Sequence, residues 1–413
     1  MSSPQLARRL GTGDAVVIGL GSMIGAGVFG AFSPAARAAG AGLLAGLAVA
    51  AVVAYCNATS SAQLAAQYPT SGGTYVYGRE RLGPWWGFLA GWGFVVGKTA
   101  SCAAMALTFA AYVAPPHWQR PVALAAVLAL TAVNYRGITR TAGLTRIIVA
   151  VVLAALAVAV AASLLGGAPD PARLTWHAGE VGWYGVLQSA GLLFFAFAGY
   201  ARIATMGEEV RDPARTIPRA IPLALGLAVA VYAVVAVTLL LTLGPAGIGS
   251  TSTPLSAAVR AGSWHWAAPV VRVGAAAASL GALLALIAGI GRTTLAMARE
   301  GDLPRRLAAV HPTYRVPHRA ELALAAVVCV LVLSVDLRGA IGFSSFGVLL
   351  YYLVTNLAAF TQPPQVRRWP RALQVVGAGG CVVLVATLPW PAVAAGAGVF
   401  AVGVLLRLAR AGR

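Results

Sequence analysis

The chain alternates long apolar runs with short polar joins rich in arginine. Twelve runs recur, at 13–38, 41–66, 85–113, 121–136, 144–166, 183–206, 219–243, 267–297, 320–335, 338–361, 372–389 and 391–409. A helix needs about 20 apolar residues to cross a bilayer. The pattern therefore predicts an all-α integral membrane protein of about twelve transmembrane helices. The fourth and ninth runs are short and extend into their flanks.

The first run carries an irregularity at its centre. Gly19, Gly21, Gly25 and Gly27 fall where the hydrocarbon midplane is expected. Glycine has the most backbone freedom to lose, so it weakens a helix. A break there frees N–H and C=O groups that lipid cannot satisfy, and they must face protein, water or a ligand. A half-helix starting near Gly25 aims bare N–H groups and a positive dipole end at the break, which suits a carboxylate. A half-helix ending near Met23 offers bare carbonyls to an ammonium group or a cation. The alternative is that these glycines only let two helices pack closely.

A second irregularity lies in the sixth run, where Phe194 to Tyr200 is followed by Ala201 and Arg202. Aromatics, a glycine and a charge at mid-span are unlike a plain lipid-facing helix. Interruptions in corresponding runs of two halves point to a transporter built from inverted repeats, with its substrate between two broken helices. The expected organisation is an N-terminal segment 1–12, a first five-helix repeat over 13–166, a second over 183–361, two further helices over 371–409, and a C-terminal segment 410–413.

Composition agrees with a membrane protein: 59% of the 413 residues are hydrophobic and 10% are charged, with a mean hydropathy of +0.80. No cleavable leader is expected, because the N-terminus runs into a full-length span. The net charge of +19 invites a nucleic-acid reading that the charge distribution rejects. Of the 30 basic residues, only Arg37, Arg120, Arg173, Arg260, Arg272 and Arg338 fall on one side of the spans. Lys98 and Arg202 fall within spans, and the rest, from Arg8 and Arg9 onward, fall on the other side. A bias this large places both termini in the cytoplasm, with basic loops against anionic headgroups. The high Ala, Gly and Arg content, with a single lysine, fits a high-GC bacterial genome, so the expected location is a bacterial inner (cytoplasmic) membrane.

Cys56, Cys102, Cys329 and Cys381 are isolated in apolar runs, so neither a disulfide framework nor a metal site is expected. His117, His177, His265, His311 and His318 all fall in predicted joins. A lipid-directed membrane enzyme would need clustered acids, histidines or a metal constellation, which the sequence lacks. A channel would need a charged or carbonyl ring. No cofactor is expected.

Five stretches resemble the amino acid–polyamine–organocation (APC) superfamily of permeases: Gly21 to Phe29, Tyr68 to Tyr75, Phe194 to Gly199, Glu208 to Ile221, and Gly291 to Pro304. The resemblance implies a leucine-transporter-like fold of two inverted five-helix repeats plus two peripheral helices. It implies that a substrate carboxylate meets the amides of Gly25, Ala26 and Gly27. The ammonium would meet the carbonyls of Met23, Phe195 and Ala198, with Phe195 and Phe197 packing on the side chain. Departures matter too. Val152 stands where some proton-coupled relatives carry a lysine, and Ala201 and Arg202 stand where some carry an acid. All eleven acids fall in joins or near span ends, so a cationic substrate lacks a buried counter-charge.

The expectation is a neutral amino acid as substrate, moved by alternating access. Protons are the favoured coupling ion, exchange of amino acids is the alternative, and nothing selects sodium. Lys98, the single lysine, is the coupling candidate, because burial lowers a lysine's proton affinity. The competing role is to cap carbonyls freed at a break. Arg202 is read as reaching water or a neighbouring carboxylate. Glu208, Glu209 and Arg292 are candidates for a salt-bridged inner gate, or are plain solvated loop.

Overall fold

The computed structural model describes residues 10–70, 72–137, 142–175 and 181–411. Arg8, Arg9, Ser71 and His177 lie outside the described residues. Helices occupy every run read from the sequence. The first run is α1 (Thr12–Met23), α2 (Ala26–Gly30) and α3 (Phe32–Ala39); α4 (Leu43–Gln67) is the second. A short α5 (Thr74–Leu82) precedes α6 (Pro84–Val113), α7 (Gln119–Tyr135) and α8 (Ala142–Leu165). The second half runs α9 (Trp183–Phe197), α10 (Ala201–Ala204), α11 (Pro213–Ser250), α12 (Pro254–Ala261), α13 (Ala268–Arg299), α14 (His318–Ser334) and α15 (Leu337–Phe360). Last come α16 (Arg371–Thr387) and α17 (Trp390–Ala411).

Nine helical segments among the described residues are long and apolar enough to cross a membrane. α7, α14 and α16 have 17 residues each, about 26 Å at 1.5 Å per residue. Large apolar side chains at Val52, Leu128, Ile147, Leu223, Val330, Val375 and Leu405 face outward. In water so much exposed apolar surface would aggregate. The chain is a multi-pass membrane protein.

Local chemistry sets the joins. Gly83, with φ +100, ends α5, and Pro84 opens α6 at a position where no N–H is needed. Asp336 caps α15 by accepting from the Gly339 N–H at 2.7 Å. α5 and α12 are helices that the apolar pattern did not predict, because both are short and only half-buried. His318 opens α14 rather than falling in a join. Glu321, in the first turn of α14, is 2% exposed against Gly291, deeper than its place near a span end indicated.

The interior is built on small residues. α6 and α15 touch through Gly93, Gly97 and Gly347, as small residues allow in membranes. A polar seam joins α4, α15 and α16: Ser60 donates to Asn356 Oδ1 (2.7 Å), and Asn356 Nδ2 donates to Asn57 Oδ1 (2.6 Å). α17 lies at the edge, with most of its side chains outward.

Candidate functional site

Both irregular stretches interrupt the α-helical ladder, the first by leaving the helix and the second by tightening to a 3-10 turn, and they touch. After Met23 the backbone leaves the helix at Ile24 (φ −78, ψ 57) and Gly25 (φ −102, ψ −140) before α2 begins. α9 ends at Phe197, and one 3-10 turn over Ala198–Tyr200 leads into α10. A Cβ on Gly199 would lie 2.3 Å from the Ser22 carbonyl oxygen and 2.6 Å from the Met23 nitrogen. A Cβ on Gly27 would lie 2.6 Å from the Ala196 Cβ. Close packing and helix breaking are therefore not alternatives here: the glycines let two broken helices cross at their breaks.

Side chains cap the groups that the breaks free. Tyr232 of α11 donates its hydroxyl to Met23 O at 2.6 Å and Ala196 O at 3.0 Å, bridging both breaks. Phe197 stacks edge-on against the Tyr232 ring at 5.0 Å. Lys98 Nζ donates to Ala198 O at 3.1 Å, and the Tyr352 hydroxyl donates to the same oxygen at 3.4 Å. The Gly25 N–H turns back onto Met23 O at 2.8 Å. The Ala26 and Gly27 amides begin α2, where a helix offers no acceptor of its own.

Beside the breaks lies a cavity of about 280 Å³ between α6, α9, α10 and α13. This is near the lower bound of the roughly 300–1,000 Å³ of ligand pockets, so a small solute fits. Phe195, Ala198, Lys98, Glu209 and Arg292 all line it, and so does Arg202. Met23, Gly25, Ala26, Gly27 and Phe197 are buried around the crossing but do not line it, and Glu208 lies outside it. Ala282 joins the two groups: it lines the cavity and meets the Cβ position of Gly25 at 3.0 Å.

The charged lining is unequal. Lys98, Arg202 and Arg292 face it with one carboxylate, Glu209, which pairs with Arg202 at 3.6 Å. Among the described residues Arg292 has no ion pair. The cavity runs from Met105 and Ser101 toward Arg292 and Glu209, the end where the arginine-rich joins collect. The 207–211 segment closes part of that end: Leu10 bridges to Val210, and Gly207 packs on the Pro69 main chain.

A second ionic cluster flanks the same end. Asp302 binds Arg79 (3.2 Å), Arg407 and the Tyr75 hydroxyl (2.8 Å), while Arg79 also reaches Glu300 at 3.0 Å. Burial, and then the Asp302 carboxylate, hold the Tyr75 phenol well above the ordinary tyrosine range.

Sequence reasoning missed Tyr232, Tyr352 and the Tyr75–Asp302 contact. A tyrosine inside an apolar span is the available signal, since its hydroxyl needs a partner there. Which carbonyl it serves depends on helix placement.

A sequence model of the amino acid permease family matches residues 10–406. An uncharacterized transporter of Mycobacterium tuberculosis is 64% identical over 97% of this chain and 90% of its own length. A branched-chain amino acid permease of Bacillus subtilis is 25% identical over 93% of this chain and 89% of its own. The chloroplastic cationic amino acid transporter 6 of Arabidopsis thaliana is 27% identical over 96% and 73%. A match spanning nearly the whole chain, over a fold with two crossed helix breaks, means that this chain belongs to the amino acid permease family and is a membrane transporter rather than an enzyme.

Proposed function

We propose that the protein moves a neutral amino acid across a bacterial cytoplasmic membrane by alternating access, with both termini in the cytoplasm. The observation that carries this reading is the cavity wall at the crossed breaks, where three cations face one already paired carboxylate. A cationic side chain entering there meets like charge and no free acid, and an unpaired charge at that depth is costly. A zwitterion adds no net charge to that wall. Similarity to a branched-chain amino acid permease supports a neutral substrate, whereas the similar cationic amino acid transporter speaks for the competing one.

In this reading the carboxylate meets the Ala26 and Gly27 amides as α2 closes over the cavity, and the Gly25 amide once it leaves Met23 O. The ammonium shares the carbonyls of Phe195, Ala198 and Met23. Met23 O already accepts from Tyr232 and the Gly25 N–H, and Ala198 O from Lys98 and Tyr352, so the ammonium has to displace one of those donors at each. Phe195 covers the ligand, and Phe197 supports Tyr232. The cavity reaches the arginine-rich end, so this conformation faces the cytoplasm. Glu209 and Arg292 line the exit as gate residues, with Glu208 beside them.

Lys98 holds the Ala198 carbonyl, which supports the capping role. Proton coupling through Lys98 requires that contact to break when the ammonium loses its proton. The test is uptake into proteoliposomes of labelled leucine, alanine, glutamate and arginine, with and without an inward proton gradient. Uptake of leucine or alanine, raised by external acid, is the expected result. Faster uptake of arginine refutes the neutral-substrate reading, and uptake only into preloaded vesicles replaces proton coupling with exchange.

A further inference from the structure

Glu321 is a buried acid that the site described above does not use. It sits in the first turn of α14 and is 2% exposed. Its Oε2 is buried without a hydrogen bond, and among the described residues it makes no ion pair. A buried carboxyl is costly unless it is neutral or finds a cation. α14 packs on α6, α7, α13 and the 3-10 turn Arg305–Ala308. α13 offers Arg292, α7 offers Tyr135, and the turn offers Arg305 and Arg306, both exposed. α6 carries no ionisable group before Lys98. On α14 itself Arg319 is exposed. His318 has its Nδ1 buried without a partner and its ring near Tyr135 and His311.

Arg292 is the cation placed to serve Glu321. Its neighbour Gly291 lies against the acid: a Cβ there would sit 3.0 Å from Glu321 Cγ and 3.5 Å from Oε1. Arg292 also lines the central cavity together with Glu209. Its charge acts on Glu321 on one side and on Arg202, across the cavity, on the other. The arginine thus stands between two carboxylates. Glu321 belongs to a helix packed on Arg292's own helix, so that pair forms without crossing the exit. Glu209 belongs to the 207–211 segment that closes part of the cytoplasmic end, so a pair with it spans the exit. Glu209 holds Arg202 through Oε1, and a carboxylate accepts a second arginine.

We propose that Glu321 is a positioning residue for the gate arginine. Ionised, it draws Arg292 back and leaves the exit open. Protonated, it releases Arg292 to Glu209, and the exit closes. The open form is therefore favoured while Glu321 is ionised and is lost as pH falls through its titration. The proton shifts the equilibrium because it binds the closed form better. Acid on the cytoplasmic side acts as a brake on release. The proposal rests on the transporter reading and on the gate roles given above to Glu209 and Arg292.

The test reads the exit directly. Cysteines replace Arg211, two residues from Glu209, and Arg299, at the end of α13, both exposed. Nitroxides on them are measured by pulsed electron spin resonance in proteoliposomes at about pH 8 and about pH 5, values that span the range of a glutamate in proteins. The unsubstituted chain gives the labelling background; three of its cysteines are buried and Cys329 is half-buried. Acid should raise the ratio of short to long distances about fivefold or more, the lower size of a coupling between two sites. Glu321→Gln, which mimics the protonated form, should give the short distance at both pH values, and Glu321→Asp should keep the response. Arg292→Gln should abolish the response, and it decides the case if Glu321→Gln does not fold. A response that persists in Glu321→Gln belongs to His311 or His318 and overturns the proposal, as do parent distances that ignore pH. Leucine uptake is measured on the same vesicles. Distances that shift as expected, with no amino acid taken up, leave the latch and remove the transport reading. Uptake with distances that Glu321→Gln does not move leaves transport and removes the latch.

Discussion

Replacing Gly199 with alanine tests the crossing of the two breaks most directly. The added Cβ would lie 2.3 Å from Ser22 O, 2.4 Å from Ser22 C and 2.6 Å from Met23 N. Ordinary contact begins at 3.4 Å, so the shortfall is about 1 Å against three atoms at once. All three belong to the main chain, so no rotamer change relieves them. The α1–α2 break must move away from the α9–α10 break by about that distance. Overpacking a membrane core in this way costs about 3 kcal/mol, the upper part of the usual range. The displacement also strains the Tyr232 bridge, whose two bonds measure 2.6 and 3.0 Å. The expected result is a lower thermal midpoint in detergent and uptake reduced about tenfold or more, since a 1 Å misplacement around a reacting or binding centre carries that kind of loss. Gly226→Ala is the control: that glycine is also helical, but its Cβ meets nothing within 4 Å, so it should be neutral or stabilising by up to about 1 kcal/mol. A Gly199→Ala protein with wild-type midpoint and uptake would refute the contact between the breaks, and with it the origin of the central cavity.

Four further outcomes follow from the same geometry. Tyr232→Phe keeps the ring against Phe197 but leaves Met23 O and Ala196 O without their shared donor. It should lower stability by about 1–3 kcal/mol and slow uptake; an unchanged thermal melt would show that the bridge contributes nothing. Lys98→Met removes one of three cavity cations and leaves Ala198 O to Tyr352 alone, so arginine should compete better against labelled leucine than in the parent protein. Unchanged competition would place Lys98 outside the ligand's field, and full retention of acid-stimulated uptake would remove it as the coupling group. Asp302→Asn breaks the contacts to Arg79 and Arg407 and should cost roughly 3 kcal/mol, because both cations stay behind partly buried. The Tyr75 phenol is held above its ordinary value of 10.0. Its stabilisation is therefore complete below about pH 10 and lost as pH rises further, and Tyr75→Phe should reduce the alkaline loss of thermal stability by that share.

Helix positions, the membrane class and both breaks were legible in the sequence, because each rests on local composition. A run of about 20 apolar residues has one low-energy form in lipid, and glycine at 19, 21, 25 and 27 weakens that form wherever the helix sits. Arg202 was half legible: it reaches a carboxylate, Glu209, as its length allows, yet it also lines the cavity. The short helices α5 and α12 escaped notice because neither carries a long apolar run.

What only the tertiary structure decided is which freed groups remain available. From the sequence, the carbonyls of Met23 and Ala198 were simply bare. In the fold Tyr232 and Lys98 reach them from helices 209 and 100 residues away in the chain. A buried polar atom in a membrane must find a partner somewhere, and the chain does not say where until the helices are packed. Charge behaves the same way. The sequence by itself determined that three arginines lie on one side of the bilayer among a few others. Packing decided that Arg37, Arg120 and Arg338 share one cavity, since the ends of α3, α7 and α15 come to line it only when the bundle closes.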